Sequence, residues 1–341
     1  MLKQPTQHRQ TMTDWQPTAT WDMLRRRAEL LRLLRAFFDE RGFLEVETPL
    51  LSGEVLVERH LDPLSTVLFD DPREPALGRR MWLQTSPEAH MKRLLAAGGE
   101  AIYQVTRSFR GGERGRLHNP EFTIVEWYRR GDAMDDGMTL LSDLCEALLG
   151  RGPAERITYG DAFRLHAGVD PFAADTGELA ALATARGLSL SPDIRAHHRD
   201  ELLNVLLAEL VEPQLGRKRP TMLYHYPASQ AAVATTTQGR RPDEAHRVAE
   251  RFELYVDALE LANGYRELTD ADELQRRMGE ANDRRHADGK PTLPPAERLL
   301  AAMRSGLPDC TGVALGFDRL VMAATLSRSI DAVQTFGTDR G

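Results

Sequence analysis

The sequence predicts an α+β fold: an antiparallel sheet flanked by helices, with a helical insertion. Three observations carry that expectation. Extended segments cluster by hairpin rather than alternating with helices, which favours an antiparallel sheet over a doubly wound parallel one. A long amphipathic pattern precedes them, with Leu24, Leu31, Leu34, Phe37 and Phe38 at helical spacing. Residues 150–215 carry short helical patterns and few clustered polar groups, and read as the insertion.

The elements follow in order. Residues 1–14 are polar and unpatterned and read as a flexible tail before one domain over 15–341. The spacing predicts a helix over 21–40, stopped at Gly42. Strands are expected over 43–47, ended by Pro49, and over 81–84. Pro87 suits the first turn of a helix running to 97. Residues 102–110 and 122–130 read as antiparallel strands around a long polar loop, and 134–149 as a helix. Within the insertion, 178–186 and 201–211 read as helical. Sheet character resumes over 221–226 and 251–262, and Asn263-Gly264 reads as a good tight-turn pair. Helices over 272–287 and 295–305, a buried strand over 312–316 and a helix over 318–326 complete the chain.

Composition narrows the function. A formal net charge of −7 argues against an extended nucleic-acid surface, though not against a small basic pocket. Cys145 and Cys310 are the only cysteines, so neither a disulfide framework nor a CxxC metal site is implied. No apolar run approaches the roughly 20 residues of a membrane span, and the N-terminus has no apolar signal core. A reducing cytoplasm is the default location.

Three constellations carry chemistry. In the hairpin around 103–130, Arg110 and Arg116 can grip phosphate through paired hydrogen bonds, and His118 adds a donor. Phe122 can stack on a purine, and Glu126 and Tyr128 share its strand face. Taken alone, this is as well a charged hairpin with a solvated tip. Glu253, Glu260 and Glu267 are hard oxygen ligands of the kind that hold Mg²⁺ with nucleotide phosphates, or else surface carboxylates on an edge strand. Gly312 and Gly316 allow close approach to the backbone, and Arg319 follows in the first turn of a helix. The bland reading there is a buried strand and a surface helix with a local Asp318–Arg319 ion pair. Two arginine-bearing segments so far apart point to one nucleotide site.

Together these residues reach a resemblance. FLEVETPLLS (43–52), the arginine-bearing hairpin and GVALGFDR (312–319) resemble motifs 1, 2 and 3 of class II aminoacyl-tRNA synthetases. TSPE, RLHNPEFT, ELANGYREL and DRLVM are similar to the lysyl branch. The resemblance covers 20–341 and implies the class II catalytic fold. Motif 1 begins near residue 43, so the N-terminal anticodon-binding OB-fold of bacterial lysyl-tRNA synthetases is expected to be absent. HYPASQAA (225–232) and PDCTGVALGFDRLVM resemble in particular the freestanding family that ligates (R)-β-lysine, or less well lysine, to a lysine side chain of elongation factor P.

That family implies the following roles. Arg110 and Arg319 would be catalytic, clamping the phosphates of ATP, with Gly111, Gly112, Glu113, His118, Asn119, Phe122, Glu260, Leu261 and Gly316 around the nucleotide. Glu253 and Glu260 would coordinate Mg²⁺. Ser86, Pro87, Glu88, Glu126, Tyr128, Asn263, Tyr265, Glu267 and Ala314 would surround the amino acid, with Glu88 near its backbone-side amine and Glu126, Tyr128, Asn263 and Glu267 around its distal ammonium. Pro49 would lie at a homodimer interface. Elongation factor P is the implied partner, with no membrane and tRNA disfavoured. Two alternatives stay open: a lysyl-tRNA synthetase reduced to its core, and a non-catalytic binder. One departure is visible: the common Arg-Asn-Glu of motif 2 here reads Arg110-Gly111-Gly112-Glu113, which puts the usual contact of that carboxylate in doubt.

Overall fold

Thr20 starts the first helix, α1 (Trp21–Asp39), by accepting a hydrogen bond from the Met23 amide; Leu30, Leu34, Phe37 and Phe38 form its buried stripe. Gly42, at φ +74°, turns the chain out of it. The computed structural model describes residues 15–191, 194, 198–239 and 246–341, so the expected tail over 1–14 lies outside the described residues. The chain continues through β1 (Leu44–Glu45), β2 (Leu51–Ser52), β3 (Ser65–Leu68), β4 (Arg79–Leu83), α2 (Glu88–Ala96), β5 (Ala101–Phe109), β6 (Glu121–Arg130) and α3 (Met134–Leu149). Next come β7 (Glu155–Thr158), α4 (Tyr159–His166), α5 (Thr176–Ala185) and α6 (Arg199–Leu206), which runs into a π-helical turn at Leu207–Val211. The last part holds β8 (Thr221–Pro227), β9 (Thr236–Gln238), β10 (Arg247–Val256), β11 (Leu259–Arg266), α7 (Ala271–Ala287), α8 (Glu297–Arg304), β12 (Cys310–Gly316) and α9 (Phe317–Thr325).

Among the described residues the main sheet runs β1-β5-β6-β12-β11-β10-β8-β7, with β9 beside β10. It is antiparallel except at its two edges, where β1 pairs with β5 and β7 with β8 in parallel. The expected α+β sheet is present. A second sheet, β2-β4-β3, is formed by segments whose short runs gave no periodic signal for β2 and β3.

Three sequence expectations are corrected. The stretch 251–262 is not one strand but the junction of β10 and β11, which turn at Asp257-Ala258, both with positive φ. Asn263-Gly264 lies inside β11, opposite Glu253 and Phe252. Gly264 is small for packing and not for turning: a Cβ there would stand 2.4 Å from the Phe252 ring. The insertion is also less separate than its helical pattern suggests. Its β7 joins the main sheet, and α4, α5 and α6 bury Tyr159, Phe163, Leu202 and Leu203 against Leu223 and Tyr226 of β8.

One face of the central strands is apolar. Val125, Trp127, Phe252, Leu254, Ala262, Val313 and Leu315 pack against α1, α3 and α9. Alternation along each strand then turns the other face, with its polar side chains, away from this core. Helix α9 is pinned by Asp318, which accepts hydrogen bonds from Arg27 (2.6 Å), the Thr123 amide (2.8 Å) and Gln334 (3.0 Å). Asp318 therefore ties α9 to α1 and β6, and the local ion pair with Arg319 is not formed.

Gly264→Ala is expected to overpack the Phe252 contact and lower unfolding free energy by about 1–3 kcal/mol. A chemical denaturation midpoint equal to that of the parent would contradict this reading of β11.

Candidate active site

Register alone assembles the polar face. Glu126 of β6 lies opposite Ala314 of β12, Ala314 opposite Asn263 of β11, and Asn263 opposite Glu253 of β10. The neighbouring row is Tyr128, Gly312, Tyr265 and Arg251. A register shift between Leu254 and Tyr255 re-aims the start of β11, bringing Glu260 onto the same face. Above the two rows is a cavity of 1710 Å³, roofed by residues 56–61, α6 and α7.

One end of the cavity is cationic. Arg319 donates to the Glu260 carbonyl (2.9 Å) and carboxylate (3.3 Å) and lies 2.6 Å from Nε2 of His118. Burial and the adjacent guanidinium lower the His118 pKa, so the neutral ring accepts from Arg319. Arg110 lies over the Phe122 ring, 5.0 Å from its centroid, and donates to the Thr85 carbonyl. Gly111 is pressed against the backbone, its amide 2.6 Å from the Asp62 carbonyl, and Gly112 has φ +79°. That glycine pair brings Glu113 back to the cavity wall, 3.9 Å from Arg110. Asn119 also lines the cavity, with its amide nitrogen held by Asp331 and Gln334. Arg116, expected to grip phosphate, is outside the cavity lining; its guanidinium bonds the Arg328 carbonyl at the surface.

Beside the arginines stand three carboxylates. Glu253 accepts from Tyr226 (2.5 Å), Tyr255 (2.6 Å) and Arg251 (2.5 Å). Glu260 is pushed up by burial and by Glu253, and Glu212 is pushed up to about 7 by burial and both others. Glu212 belongs to the insertion and was not recognised from sequence, because no pattern there marks it. Among the described residues no group of three His, Cys, Asp or Glu side chains is placed to hold a metal ion on its own.

The other end is acidic. Glu126 is buried and accepts from Ser86 (2.6 Å) and Tyr128 (3.0 Å). Burial pushes its carboxyl up to about 8. Asn263 donates to the Tyr265 hydroxyl, which leaves its buried carbonyl oxygen without a partner. Pro87 caps α2 and sets Glu88 in the wall. Lys92, one turn along α2, is buried between Glu88 (2.6 Å) and Glu267 (2.5 Å). Glu267, expected against a substrate cation, thus meets the protein's own ammonium and lies behind the cavity wall, as does Tyr128. Gly312 also has a different reason from the expected one: a Cβ would stand 2.2 Å from both Glu267 and Tyr128, so this glycine makes room for side chains rather than for a ligand. Ala314, Leu261, Tyr265 and Gly316 line the cavity.

A mainly antiparallel sheet carrying arginines and their neighbouring carboxylates at one end of its open face, and a second group of buried carboxylates at the other, defines a class II synthetase type of site. In agreement, the family model of the class II tRNA synthetases (D, K and N) matches residues 3–340. Proteins from Salmonella paratyphi B and Salmonella schwarzengrund are each 46% identical over 326 residues, covering 96% of this chain and 98% of theirs. A third, from Salmonella dublin, matches to the same extent. All three are named elongation factor P–(R)-β-lysine ligase. The chain belongs to the class II tRNA synthetase family and, within it, groups with these ligases.

The raised pKa of Glu126 gives a pH test. The folded state holds this proton up to about 8 whereas the unfolded chain releases it near 4.5, so its contribution to stability is full below 4.5 and is lost as pH rises through 8. Thermal melts of the unliganded protein from pH 5 to 9 are expected to show that loss in the parent and a shallower one in Glu126→Gln. Identical pH slopes would place the proton elsewhere.

Proposed function

We propose that this protein is an ATP-dependent, AMP-forming ligase that activates (R)-β-lysine, or lysine, and transfers it to a lysine side chain of elongation factor P. The observation that carries the reading is the two-ended cavity. Arg110 and Arg319 suit the phosphates of a nucleotide, and Glu126, its proton donors Ser86 and Tyr128, and the unpartnered oxygen of Asn263 suit an ammonium. The names of the relatives supply the substrate and the partner.

The substrate carboxylate would attack the α-phosphorus of ATP in line, forming the acyl-adenylate and releasing pyrophosphate. Arg110 and Arg319 would neutralise the charge that develops there. Phe122 would stack on adenine, with Gly111, Gly112, Glu113, His118, Asn119, Leu261 and Gly316 around the nucleotide. Glu253 and Glu260 fit Mg²⁺: burial and the neighbouring Glu253 push the Glu260 carboxyl up, as suits a site that takes a cation, and a metal shared with phosphate needs few protein ligands. Bound there, Mg²⁺ would neutralise phosphate charge. In the second half-reaction a neutral acceptor amine attacks the adenylate carbonyl and AMP departs with the bonding electrons, while the proton lost by the amine nitrogen passes to water or to the departing phosphate.

A cytoplasmic location goes with the reading, because the partner named for the relatives is a translation elongation factor. Among the described residues no helix is long and apolar enough to cross a membrane. A homodimer through the segment around Pro49 is part of the proposal, supported by the exposed Leu44 and Leu50 on either side of it. The test of the whole is mass spectrometry of purified elongation factor P after incubation with enzyme, ATP and each lysine isomer. Acylation of tRNA with an unmodified factor would favour the tRNA-charging reading instead.

Arg110→Ala and Arg319→Ala are each expected to slow ATP–pyrophosphate exchange by about a hundredfold or more, the usual effect of removing oriented charge from a developing anion. Near-parental exchange in both would overturn the phosphate assignment. Ala314, between Glu126 and Asn263, is one methyl larger than the glycine of lysyl-tRNA synthetases. Ala314→Gly is expected to shift the ratio of (R)-β-lysine to lysine adenylation towards lysine by about tenfold or more. A ratio unchanged from the parent would remove Ala314 from the selectivity of the site.

A further inference from the structure

The charges at the acidic end of the cavity do not balance. Glu58, Glu88, Glu126 and Glu267 act on one another there: Glu88 raises the pKa of each of the other three. One lysine answers them. Lys92 is in contact with both Glu88 and Glu267, so those two are compensated. Glu126 has only neutral donors, from Ser86 and Tyr128. Glu58 lines the cavity, and among the described residues its carboxylate makes no hydrogen bond or ion pair; only its backbone carbonyl is used, by Arg285. Two carboxylates are thus left without a contacting cation. That number matches the two ammonium groups of a diamino acid.

Their positions separate the roles. Glu126 is on the sheet floor, next to Ala314 and Asn263. Glu58 is on the opposite wall, where its charged and titratable neighbours are Glu88 and Lys92 of α2, Arg110 of the phosphate end, and Arg251 and Tyr265 of the sheet. It is therefore within reach of both the charges of the phosphate end and those of the acidic end. An amine close to the substrate's reacting carboxylate would meet Glu58, while an amine at the far end of the chain would meet Glu126. Glu88, which the family resemblance puts beside the nearer amine, is already joined to Lys92 at 2.6 Å.

We propose that Glu58 is the carboxylate that binds the substrate's nearer ammonium group, and that it contributes to the choice between β- and α-amino isomers. This rests on the proposed ligase reading. The two isomers place that amine one carbon apart, and a carboxylate on the fixed 56–61 segment reaches one position better than the other. The segment is held by Arg285, buried and bonded to the carbonyls of Glu58 and Leu61, and by Arg59, which pairs with Glu201 and Asp288. In the free protein Glu58 is pushed up to about 7 by burial and by Glu88, as suits a carboxylate awaiting a cation.

The test crosses two variants with two partial ligands, measured as inhibitors of ATP–pyrophosphate exchange. 6-Aminohexanoate carries only the far amine, and 3-aminohexanoate only the nearer one. Glu58→Gln is expected to weaken 3-aminohexanoate, (R)-β-lysine and lysine by about 10–100-fold and 6-aminohexanoate by less than about threefold, as for loss of one charge-assisted hydrogen bond. Glu126→Gln is expected to show the converse pattern. Equal weakening of both partial ligands by Glu58→Gln, or of neither, would overturn the assignment. So would normal exchange with slowed transfer to elongation factor P, which would make Glu58 a residue of the acceptor step. If Glu58→Gln does not fold, Glu58→Asp keeps the charge and withdraws it by one methylene. It is expected to change the (R)-β-lysine to lysine ratio at least about threefold, and an unchanged ratio would count against the proposal. Failure of the ligase reading is a separate result: parent enzyme that supports no exchange with any lysine isomer.

Discussion

The register of β6, β12, β11 and β10 is the constraint on which the rest depends. Strand side chains alternate between faces, so one slipped residue would exchange Glu126, Asn263 and Glu253 for core residues such as Val125, Ala262 and Leu254. The apolar face fixes that register by burying Trp127, Val313 and Leu254 under α1 and α3. Three small residues make it possible. Gly264 admits the Phe252 ring on the core side, Gly312 admits Glu267 and Tyr128 on the other, and Ala314 keeps the floor low between Glu126 and Asn263.

Placing so many carboxylates on one partly buried face is costly, because burial removes hydration that only a cation or good donors can replace. The fold offsets part of that cost internally. Lys92 serves Glu88 and Glu267, Arg251 with two tyrosines serves Glu253, and Arg319 serves Glu260. What remains uncompensated, at Glu58, Glu126 and Glu212, is where the cavity has most to gain from a bound cation. Stability is given up at these points in favour of a site whose field is arranged before the ligand arrives.

The roof is joined to the floor by charge as well as by packing. Arg59 links the 56–61 segment to Glu201 of α6 and to Asp288 just after α7, while Arg285 of α7 and Lys290 both reach Asp62. Asp62 in turn accepts the Gly111 amide at the root of the arginine-bearing loop. The insertion, the small sheet's connection and the nucleotide-facing loop therefore meet around one short segment.

By itself the sequence determined the α+β class, most helix bounds and the residue types gathered at the candidate site, because each is encoded in local spacing: Leu34 to Phe38 in α1, Phe122 to Tyr128 in β6, and the glycines before Arg319. Through motif resemblance it also assigned Arg110 and Arg319 to the nucleotide and Glu126 and Asn263 to the amino-acid substrate beside it. Tertiary structure decided what depends on partners distant in sequence. Asn263-Gly264 reads locally as a turn, yet the Phe252 ring and the pairing with β12 make it the middle of a strand. Glu267 and Glu88 read as ligands for a substrate cation until Lys92 is found between them, and Asp318 turns from Arg319 to Arg27. Glu58 and Glu212 carry no local pattern at all. Their roles follow from which charges surround them, and that is set by segments as far apart as α2, β10 and the insertion.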